Sequence, residues 1–340
     1  MKKVDVIVDL QYGSTGKGLI AGYLAKNVDY DCVVNANMPN AGHTFVDAGG
    51  RKWIHKVLPN GIVGESVHDV MIGPGSVFSL DQLRKECKES EDILRDKQIW
   101  IHENAMVLQE HHAKQEQEQM SKISSTMQGS SAAMVEKIRR DPTSTPSMAK
   151  YALKGTEFEG GVINNGEWTR ILYRCKQILL EGAQGFSLGI NAGFWPYCTS
   201  RDCTPARFVA DCGIPVLWVR DIIGTARTYP IRVGNVPGGH SGGCYPDQRE
   251  LQWGDIGVTP EKTTVTNRVR RVFTFSNIQI TEAIRACTPT KIFLNFCNYS
   301  PERYKGMADF MDHYMDDMGM QGHVCWMGWG PSELDVVKCS

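Results

Sequence analysis

Short apolar runs alternate with amphipathic stretches along most of the chain. The apolar runs lie at 4–10, 32–35, 70–72, 99–102, 177–181, 216–222 and 291–296. Several are apolar throughout, which is typical of parallel strands buried on both faces of a sheet. We therefore predict one strand for each run.

Helical patterns with recognisable ends separate these runs. Ser79 precedes the periodic stretch LDQLRKECKE and is predicted to cap it. Thr204 is predicted to cap another helix, with Pro205 at its first position and Gly213 beyond its end. Further helices are predicted at 19–26 and, polar and exposed, at 106–122. The alternation predicts an α/β fold on a large, mainly parallel twisted sheet flanked by helices.

The chain carries no internal repeat and no stretch with the composition of a linker. Residues 224–255 are rich in glycine and proline. We interpret them as a long functional loop rather than as a domain boundary. The sequence therefore predicts a single domain over residues 1–340.

Charge and cysteine content narrow the class of protein. The chain has 37 Lys and Arg against 38 Asp and Glu, a net charge of -1, which disfavours nucleic acid or an anionic membrane as partner. Its 11 cysteines match neither a zinc spacing nor a CxxC motif. The N-terminus has no signal-peptide or membrane-span pattern. We expect a cytoplasmic protein with reduced thiols.

The motif GSTGKG at 13–18 follows the first predicted strand and precedes a helix. Its glycines let backbone amides approach phosphate oxygens, the helix N-terminus adds its dipole, and Lys17 adds a positive charge. The spacing differs from that of the common phosphate loop, GxxxxGK followed by Ser or Thr. A glycine-rich structural turn is the alternative interpretation.

Three more polar clusters follow predicted strands or lie in later loops. They are NAGHT at 40–44, EGAQG at 181–185 with YCTS at 197–200, and TNRVRR at 266–271. A loop histidine can donate a proton to a developing anion, and arginines can clamp a carboxylate or phosphate. Ordinary polar loops and a solvated basic turn are the alternatives. Because ligands bind at the carboxyl ends of strands in open α/β sheets, the four clusters together predict a nucleotide-dependent enzyme of phosphoryl transfer.

The order and spacing of the four motifs resemble the adenylosuccinate synthetases. The hallmarks of that family are a GDEGKGK loop, an NAGHT loop, an EGAQG strand end and a threonine-arginine loop for aspartate. The resemblance implies a homodimer that phosphorylates the 6-oxygen of a purine monophosphate with a nucleoside triphosphate. The amine of aspartate then displaces that phosphate.

The chain departs from the family pattern at two places that bear on substrate choice. Ser14 stands where the family has its catalytic aspartate, and Thr15 stands where it has the adjacent glutamate. Asn295 and Cys297 replace the Lys-x-Asp pair that reads guanine in GTP. The smaller serine leaves room beside C2 of the purine, and loss of the base-reading aspartate favours ATP over GTP.

This pattern resembles the bacteriophage branch of the family that makes 2-aminoadenine for DNA. It implies that dGMP, L-aspartate and ATP are the substrates and that the protein acts in the host cytoplasm. Two alternatives stay open: an ordinary synthetase using IMP, GTP and aspartate, and a non-catalytic nucleotide-binding module. With serine in place of aspartate, the N1 proton could pass to water, to a phosphate oxygen or through His43.

The resemblance also implies a role for each matching position, with Mg2+ as cofactor. Catalysis would fall to Ser14, Lys17 and His43. ATP would contact Gly13, Thr15, Gly16, Lys17, Gly18, Gly42, His43, Thr44, Asn295, Cys297 and Gly330. The residues for dGMP would be Ser14, Asn40, Ala41, Thr126, Gln184, Thr199 and Arg268, with Arg140 reaching in from the neighbouring subunit. Aspartate would contact Thr264, Val265, Thr266, Arg268 and Arg270. Ser14 and the Gly42 carbonyl would be ligands of Mg2+.

Overall fold

A computed structural model describes residues 3–120, 126–263 and 267–339. Its strands are β1 (Val4–Asp9), β2 (Cys32–Asn35), β3 (His43–Val46), β4 (Lys52–His55), β5 (Asp69–Ile72), β6 (Val77–Phe78), β7 (Gln98–His102), β8 (Met106–Val107), β9 (Val162–Ile163), β10 (Ile178–Glu181), β11 (Val219–Arg227), β12 (Ile231–Arg232), β13 (Glu250–Leu251), β14 (Arg271–Phe273), β15 (Lys291–Asn295), β16 (His323–Gly328) and β17 (Val336–Lys338). Its helices are α1 (Lys17–Asn27), α2 (Leu80–Glu89), α3 (Glu91–Leu94), α4 (Glu110–Met120), α5 (Ser130–Arg139), α6 (Ala149–Ala152), α7 (Asn165–Arg174), α8 (Pro205–Asp211), α9 (Asn277–Cys287) and α10 (Tyr304–Asp317).

Ten strands form one sheet in the order β17-β16-β15-β11-β1-β10-β2-β5-β7-β9. Within the described ranges its neighbouring strands are parallel, except that β17 runs antiparallel to β16. The predicted α/β fold on a large, mainly parallel sheet is therefore confirmed. The extent of the domain over 1–340 stays a prediction.

Helices cover both faces of this sheet because its central strands are apolar on both sides. Val6 and Val8 of β1 pack in one apolar cluster with helices α7 to α10. Ile7 points to the opposite face and packs in a second cluster with α1 and α2. Alternation of side chains along a strand thus places a core on each face.

The sequence interpretation is wrong at 216–222 and at 224–255, because β11 begins later and ends later than predicted. Residues Val216–Trp218 form a 3-10 turn, and the strand then runs through Arg227. A Cβ at Gly224 would lie 2.7 Å from Leu10 Cδ1, so this glycine allows close packing of β1 rather than ending the strand. The supposed long loop also contributes β12 and β13 to a small three-stranded sheet with β14.

Two helix predictions also need correction. The helix predicted over 106–122 is a short strand, β8, followed by α4, because β8 pairs with β6 and takes Met106 and Val107 into the core. Ser79 caps α2 as predicted, accepting a hydrogen bond from the Gln82 amide at 3.3 Å. Thr204 precedes α8, but its hydroxyl instead donates to Asp202 Oδ2 at 3.1 Å.

The parallel arrangement brings the carboxyl ends of β11, β1, β10 and β2 to one edge of the sheet. The loops that follow these strands carry the predicted phosphate loop, the EGAQG motif and the NAGHT motif. No described helix is long and apolar enough to cross a membrane.

Candidate active site

The buried carboxylate of Asp9 accepts hydrogen bonds from residues throughout the phosphate loop. Asp9, the last residue of β1, accepts hydrogen bonds from the amides of Gln11 at 2.9 Å and Gly13 at 3.1 Å through Oδ1. Its Oδ2 accepts from Lys17 Nζ at 3.0 Å and from the Thr15 hydroxyl. Four donors from one loop therefore converge on one carboxylate, and this fixes the loop around Lys17.

The turn that carries Ser14 needs left-handed backbone at several positions. Ser14 has φ 58°, and Gly13 and Gly16 have φ of 90° and 95°. A Cβ at Gly16 would also lie 2.1 Å from Asn295 Nδ2. Glycine at 16 is thus favoured both by backbone conformation and by the close approach of the Asn295 side chain at the end of β15.

His43 is oriented by a second buried carboxylate. His43 is the first residue of β3, and its Nδ1 lies 2.5 Å from Glu181 Oε1 at the end of β10. Glu181 Oε2 accepts the Asn60 amide at 2.6 Å. Because an ionised carboxylate only accepts hydrogen bonds, Nδ1 carries the proton and Nε2 is the ring nitrogen left for a substrate.

The EGAQG loop packs directly on the phosphate loop. Lys17 Nζ donates to the Gln184 carbonyl at 2.6 Å, and Gln184 itself has φ 63°. A Cβ at Gly185 would lie 2.4 Å from the Gly13 amide nitrogen. Glycine at 185 therefore permits contact between the loops of two neighbouring strands.

Unpartnered polar atoms collect beside these loops. Within the described residues, the buried atoms Asn37 Nδ2 and Oδ1, Asn40 Oδ1 and Thr199 Oγ1 have no hydrogen-bond partner. Ser200 Oγ lies 3.8 Å from Met38 Sδ, which brings the two loops that carry these residues into contact. Buried polar groups normally have partners, so these atoms are suited to a polar ligand such as a nucleoside monophosphate.

A glutamate of α4 holds one end of the loop that contains Thr126, a residue predicted to contact dGMP. Glu116 of α4 is buried and accepts the amides of Gly129 at 2.7 Å and Ser131 at 2.6 Å, which lie at the start of α5. Thr126 is half-buried, and Arg140 is exposed just beyond the end of α5 with φ 51°. These contacts fix one end of the loop and leave Arg140 at the surface.

The loop predicted to bind the aspartate substrate lies beside an ion pair between buried Arg227 and partly exposed Glu261. Arg227, at the end of β11, is fully buried, and its Nη2 lies 2.5 Å from Glu261 Oε1. Burial acts to raise the pKa of the Glu261 carboxyl, but the charge and hydrogen bond of Arg227, together with Arg270 and Tyr299, hold that pKa below its ordinary value. Arg227 Nη1 also donates to the Ser14 carbonyl at 3.1 Å. One arginine thus connects this loop to the phosphate loop.

The other residues predicted to bind the substrate aspartate lie only partly within the described part of the chain. Arg268 is half-buried, and its amide donates to the Thr263 hydroxyl at 3.0 Å. Burial lowers the pKa of Arg270, with Glu261 opposing this effect. Thr264, Val265 and Thr266 lie outside the described residues.

Asn295 and Cys297, the two residues predicted to contact the base of ATP, are both held by the protein. Asn295 Nδ2 donates to the Thr15 carbonyl at 3.2 Å, and Oδ1 accepts the Phe296 amide at 2.8 Å. Cys297 is fully buried, and burial raises the pKa of its thiol to about 12. A contact between Cys297 and a base would therefore come from its backbone.

Other residues predicted to contact ATP lie at the same edge of the sheet and differ in burial. Lys17 and Thr15 are buried, Gly42 and Thr44 are exposed, and Gly330 is half-buried just beyond β16. The Thr15 hydroxyl points toward Asp9 and lies 2.5 Å from Thr225 Oγ1. A contact between Thr15 and ATP would therefore involve its backbone.

Sequence reasoning missed three residues: Asp9, Glu181 as the partner of His43, and Arg227. A signal existed for Asp9, because this acid is the last residue of a mostly apolar strand and lies a few residues before the glycine-rich loop. Glu181 was visible within its motif without an assigned partner. Arg227 had no comparable signal, since it lies 213 residues from Ser14 in the chain.

Comparison with known proteins supports the reading of these motifs. The model of the family described as adenylosuccinate synthetase matches residues 6–152 and 147–299. The N6-succino-2-amino-2'-deoxyadenylate synthase of Vibrio phage phiVC8 is 52% identical, covering 99% of this chain and 98% of its own length.

Two solved structures are also similar. The Cyanophage S-2L succinoaminodeoxyadenylate synthetase, bound to dGMP and dATP as an energy donor, has a TM-score of 0.89 at 39% identity, covering 99% of this chain and 95% of that one. A fully ligated adenylosuccinate synthetase from Plasmodium falciparum has a TM-score of 0.79 at 17% identity, covering 99% of this chain and 100% of that one, and shows the fold alone.

The chain therefore belongs to the adenylosuccinate synthetase family. The predicted resemblance is confirmed, and membership makes the protein an enzyme that forms a carbon–nitrogen bond.

Proposed function

We propose that this protein joins L-aspartate to C6 of dGMP at the expense of ATP. The products are 2-amino-2'-deoxy-N6-succino-adenylate, ADP and phosphate. The observation that carries the proposal is Ser14 on a loop otherwise built for phosphoryl transfer, in a chain 52% identical to a phage synthase of that name. The relative from Cyanophage S-2L, bound to dGMP and dATP, supports both substrate classes.

The phosphate loop would hold the triphosphate. Lys17 directs its ammonium toward the Gln184 carbonyl and Asp9, which leaves its remaining N–H for a phosphate oxygen. Backbone amides of the glycine-rich turn and the N-terminus of α1 add further positive potential. The γ-phosphoryl group would pass to the 6-oxygen of dGMP, and the O–P bond to ADP would break.

His43 would act on the oxygen that leaves C6. Its Nδ1 is held by Glu181 at 2.5 Å, which fixes the ring and stabilises positive charge developing on it. Once Nε2 takes up a proton, both ring nitrogens are donors, and Nε2 would donate a hydrogen bond to the 6-oxygen or the transferred phosphoryl group. The aspartate amine would attack C6, and inorganic phosphate would depart with the oxygen.

Ser14 would set the choice of purine. A hydroxyl is smaller than a carboxylate and carries no charge, so it leaves space beside C2 for an amino group. Restoring aspartate at this position would place a carboxylate there again. We expect Ser14→Asp to shift preference from dGMP toward IMP.

We propose Mg2+ as cofactor, bound through oxygen atoms of the chain and of the substrates. Asp9 and Glu181 already use both carboxylate oxygens in hydrogen bonds, while Gly42 is exposed. Ser14 and the Gly42 carbonyl would hold the ion together with substrate phosphates and water, all of them oxygen ligands of the kind that Mg2+ prefers. Bound there, Mg2+ would neutralise charge on the phosphates.

Binding of dGMP and aspartate would draw on the surrounding loops. The unpartnered atoms of Asn40 and Thr199 suit the monophosphate, with Ala41, Gln184 and Thr126 nearby in the family pattern. The exposed position of Arg140 is compatible with reaching a second subunit in a homodimer. Aspartate would bind at Arg268 and Arg270 with Thr264, Val265 and Thr266.

The proposal is tested by turnover of the purified protein with Mg2+, L-aspartate and each of dGMP, GMP and IMP. ATP, dATP and GTP are compared as donors, and mass spectrometry identifies the succinylated product. We expect the succino-product from dGMP with ATP or dATP. Product only from IMP with GTP, or nucleotide binding without any turnover, would overturn the proposal.

A further inference from the structure

We propose that Asp9 is a positioning residue for the reaction: its carboxylate holds Lys17 and the phosphate loop ready for a triphosphate. The inference rests on the function proposed above and identifies what fixes its principal cation. Asp9 does not touch a substrate in this scheme; it acts through Lys17 and the loop backbone.

The contacts of Asp9 extend over the whole loop. Oδ1 accepts the amides of Gln11 and Gly13 in its first half, and Oδ2 accepts from Thr15 and Lys17 in its second half. The Asp9 side chain is 0% exposed and that of Lys17 is 3% exposed. Water therefore cannot replace these bonds, and the loop conformation depends on this single carboxylate.

The carboxylate comes from a different position in the chain than the acids of the family motif. GDEGKGK carries two acids within the loop, whereas GSTGKG carries none. At the second of these positions Thr15 is fully buried, with its hydroxyl directed at Asp9 and 2.5 Å from Thr225 Oγ1. The structure thus supplies a loop carboxylate from the end of β1 beneath the loop.

This location has two physical consequences. A buried ammonium group needs a counter-charge, and Asp9 provides it at 3.0 Å. Because the carboxylate lies beneath the loop, it does not add negative charge at the Ser14 position above. Two phosphate-bearing substrates can then approach with less repulsion than an acid in the loop would cause.

The same geometry separates Asp9 from the role of the family aspartate. Both of its oxygens are occupied by four protein donors, and its side chain is 0% exposed. A group of this kind cannot reach N1 of a purine directly. Asp9 is therefore assigned to positioning and not to removal of the N1 proton.

The first test is Asp9→Asn. An amide oxygen can still accept from Gln11 and Gly13, but the amide nitrogen would face Lys17 and lose the ion pair. We expect kcat/KM for ATP to fall about 100-fold, as for a misplaced catalytic group, while the KM for aspartate stays within about twofold. The matched control is Asp5→Asn, which removes a buried acid from the same strand that pairs with Arg220 at 2.6 Å.

The second test returns the carboxylate to the loop. Asp9→Gly clears the volume beneath the loop, and Thr15→Glu in that background supplies an acid from position 15. We expect the double variant to bind and use ATP at least about tenfold better than Asp9→Gly alone, because the Lys17 counter-charge is restored. This comparison remains informative if Asp9→Asn is too unstable to assay.

Calorimetric binding of a non-hydrolysable ATP analogue separates this inference from the proposed function. If wild type fails to ligate dGMP but Asp9→Asn still weakens analogue binding, the proposed function fails and the role of Asp9 stands. Equal analogue binding and kcat/KM for the Asp9→Asn and Asp5→Asn variants would overturn the role of Asp9. A double variant no better than Asp9→Gly would overturn the relocation of the carboxylate.

Discussion

The strand ends and the outer loops of the candidate site hold their functional residues differently. Lys17 and His43 are buried, and each lies against a buried carboxylate at the end of β1 or β10, at 3.0 and 2.5 Å. In the outer loops, Thr126, Arg140 and Arg268 are half-buried or exposed. Glu116 and Glu261 there hold neighbouring parts of each loop rather than these side chains.

This difference indicates a division of labour. Groups fixed before substrate arrives lower the barrier to chemistry, since little reorganisation remains at the reaction step. Loop groups that are still accessible can complete the site as substrates bind. Substitution of the carboxylates that hold Lys17 and His43 should therefore lower kcat. Substitution of Glu116 or Glu261 should mainly alter stability or KM.

The strongest test of the strand-end region is His43→Asn. Loss of the ring removes the proposed donor to the 6-oxygen, and we expect kcat to fall about 1,000-fold, within the range for general acid–base groups. Steady-state kinetics with saturating substrates measure the change. The control is His102→Asn, which alters a buried histidine at the end of β7; an equal loss there would show that the effect is structural.

Glu181→Gln should have the next largest effect. The amide keeps the shape but cannot hold His43 by charge, so we expect kcat to fall about 100-fold with little change in KM. Glu86→Gln is the matched control, because Glu86 is a fully buried glutamate that accepts the amides of Lys56, Val57 and Leu58. We expect that control to lower the melting temperature and to leave kcat within about twofold. A kcat for Glu181→Gln no lower than the control's would contradict the comparison.

Glu261→Gln tests the ion pair beneath the aspartate loop. Replacing a charged hydrogen bond to buried Arg227 should lower the free energy of unfolding by roughly 2 kcal/mol at neutral pH. The pKa of Glu261 in the folded protein lies below its ordinary value of 4.5. Its stabilisation is therefore present above pH 4.5 and is lost as pH falls through the folded-state pKa.

Denaturant unfolding of wild type and Glu261→Gln at pH 7 and in steps below pH 4.5 measures this linkage. We expect the two stabilities to converge as pH falls. A difference that stays constant with pH would show that the charge of Glu261 does not stabilise the fold.

Glu116→Gln should have the smallest effect. A neutral amide caps the start of α5 less well than a carboxylate, so the Thr126 loop should be less ordered before dGMP binds. We expect KM for dGMP to rise roughly fivefold with kcat unchanged, the size of effect that about 1 kcal/mol produces. Glu118→Gln, on an exposed position of the same helix, is the control; a matching KM increase there would count against the capping role.

Much of the fold was predictable because it depends on local pattern. The apolar strands at 32–35 and 291–295 and the helix capped by Ser79 follow from periodicity and capping. The start of β11 was not predictable in this way, because the turn at Val216–Trp218 is as apolar as a strand. Likewise Gly224 reads as a strand breaker until its packing against Leu10 is seen.

The sequence by itself determined the α/β class, the family and the positions of the phosphate, histidine and EGAQG motifs, since each of these is a short contiguous pattern. Only the tertiary structure decided that Glu181 pairs with His43 and that Arg227 contacts the phosphate loop at Ser14. His43 and Glu181 are 138 residues apart in the chain, and Arg227 and Ser14 are 213 apart. Their pairing depends on the order β11-β1-β10-β2 within the sheet, and strand order is set by packing over the whole domain rather than by local pattern.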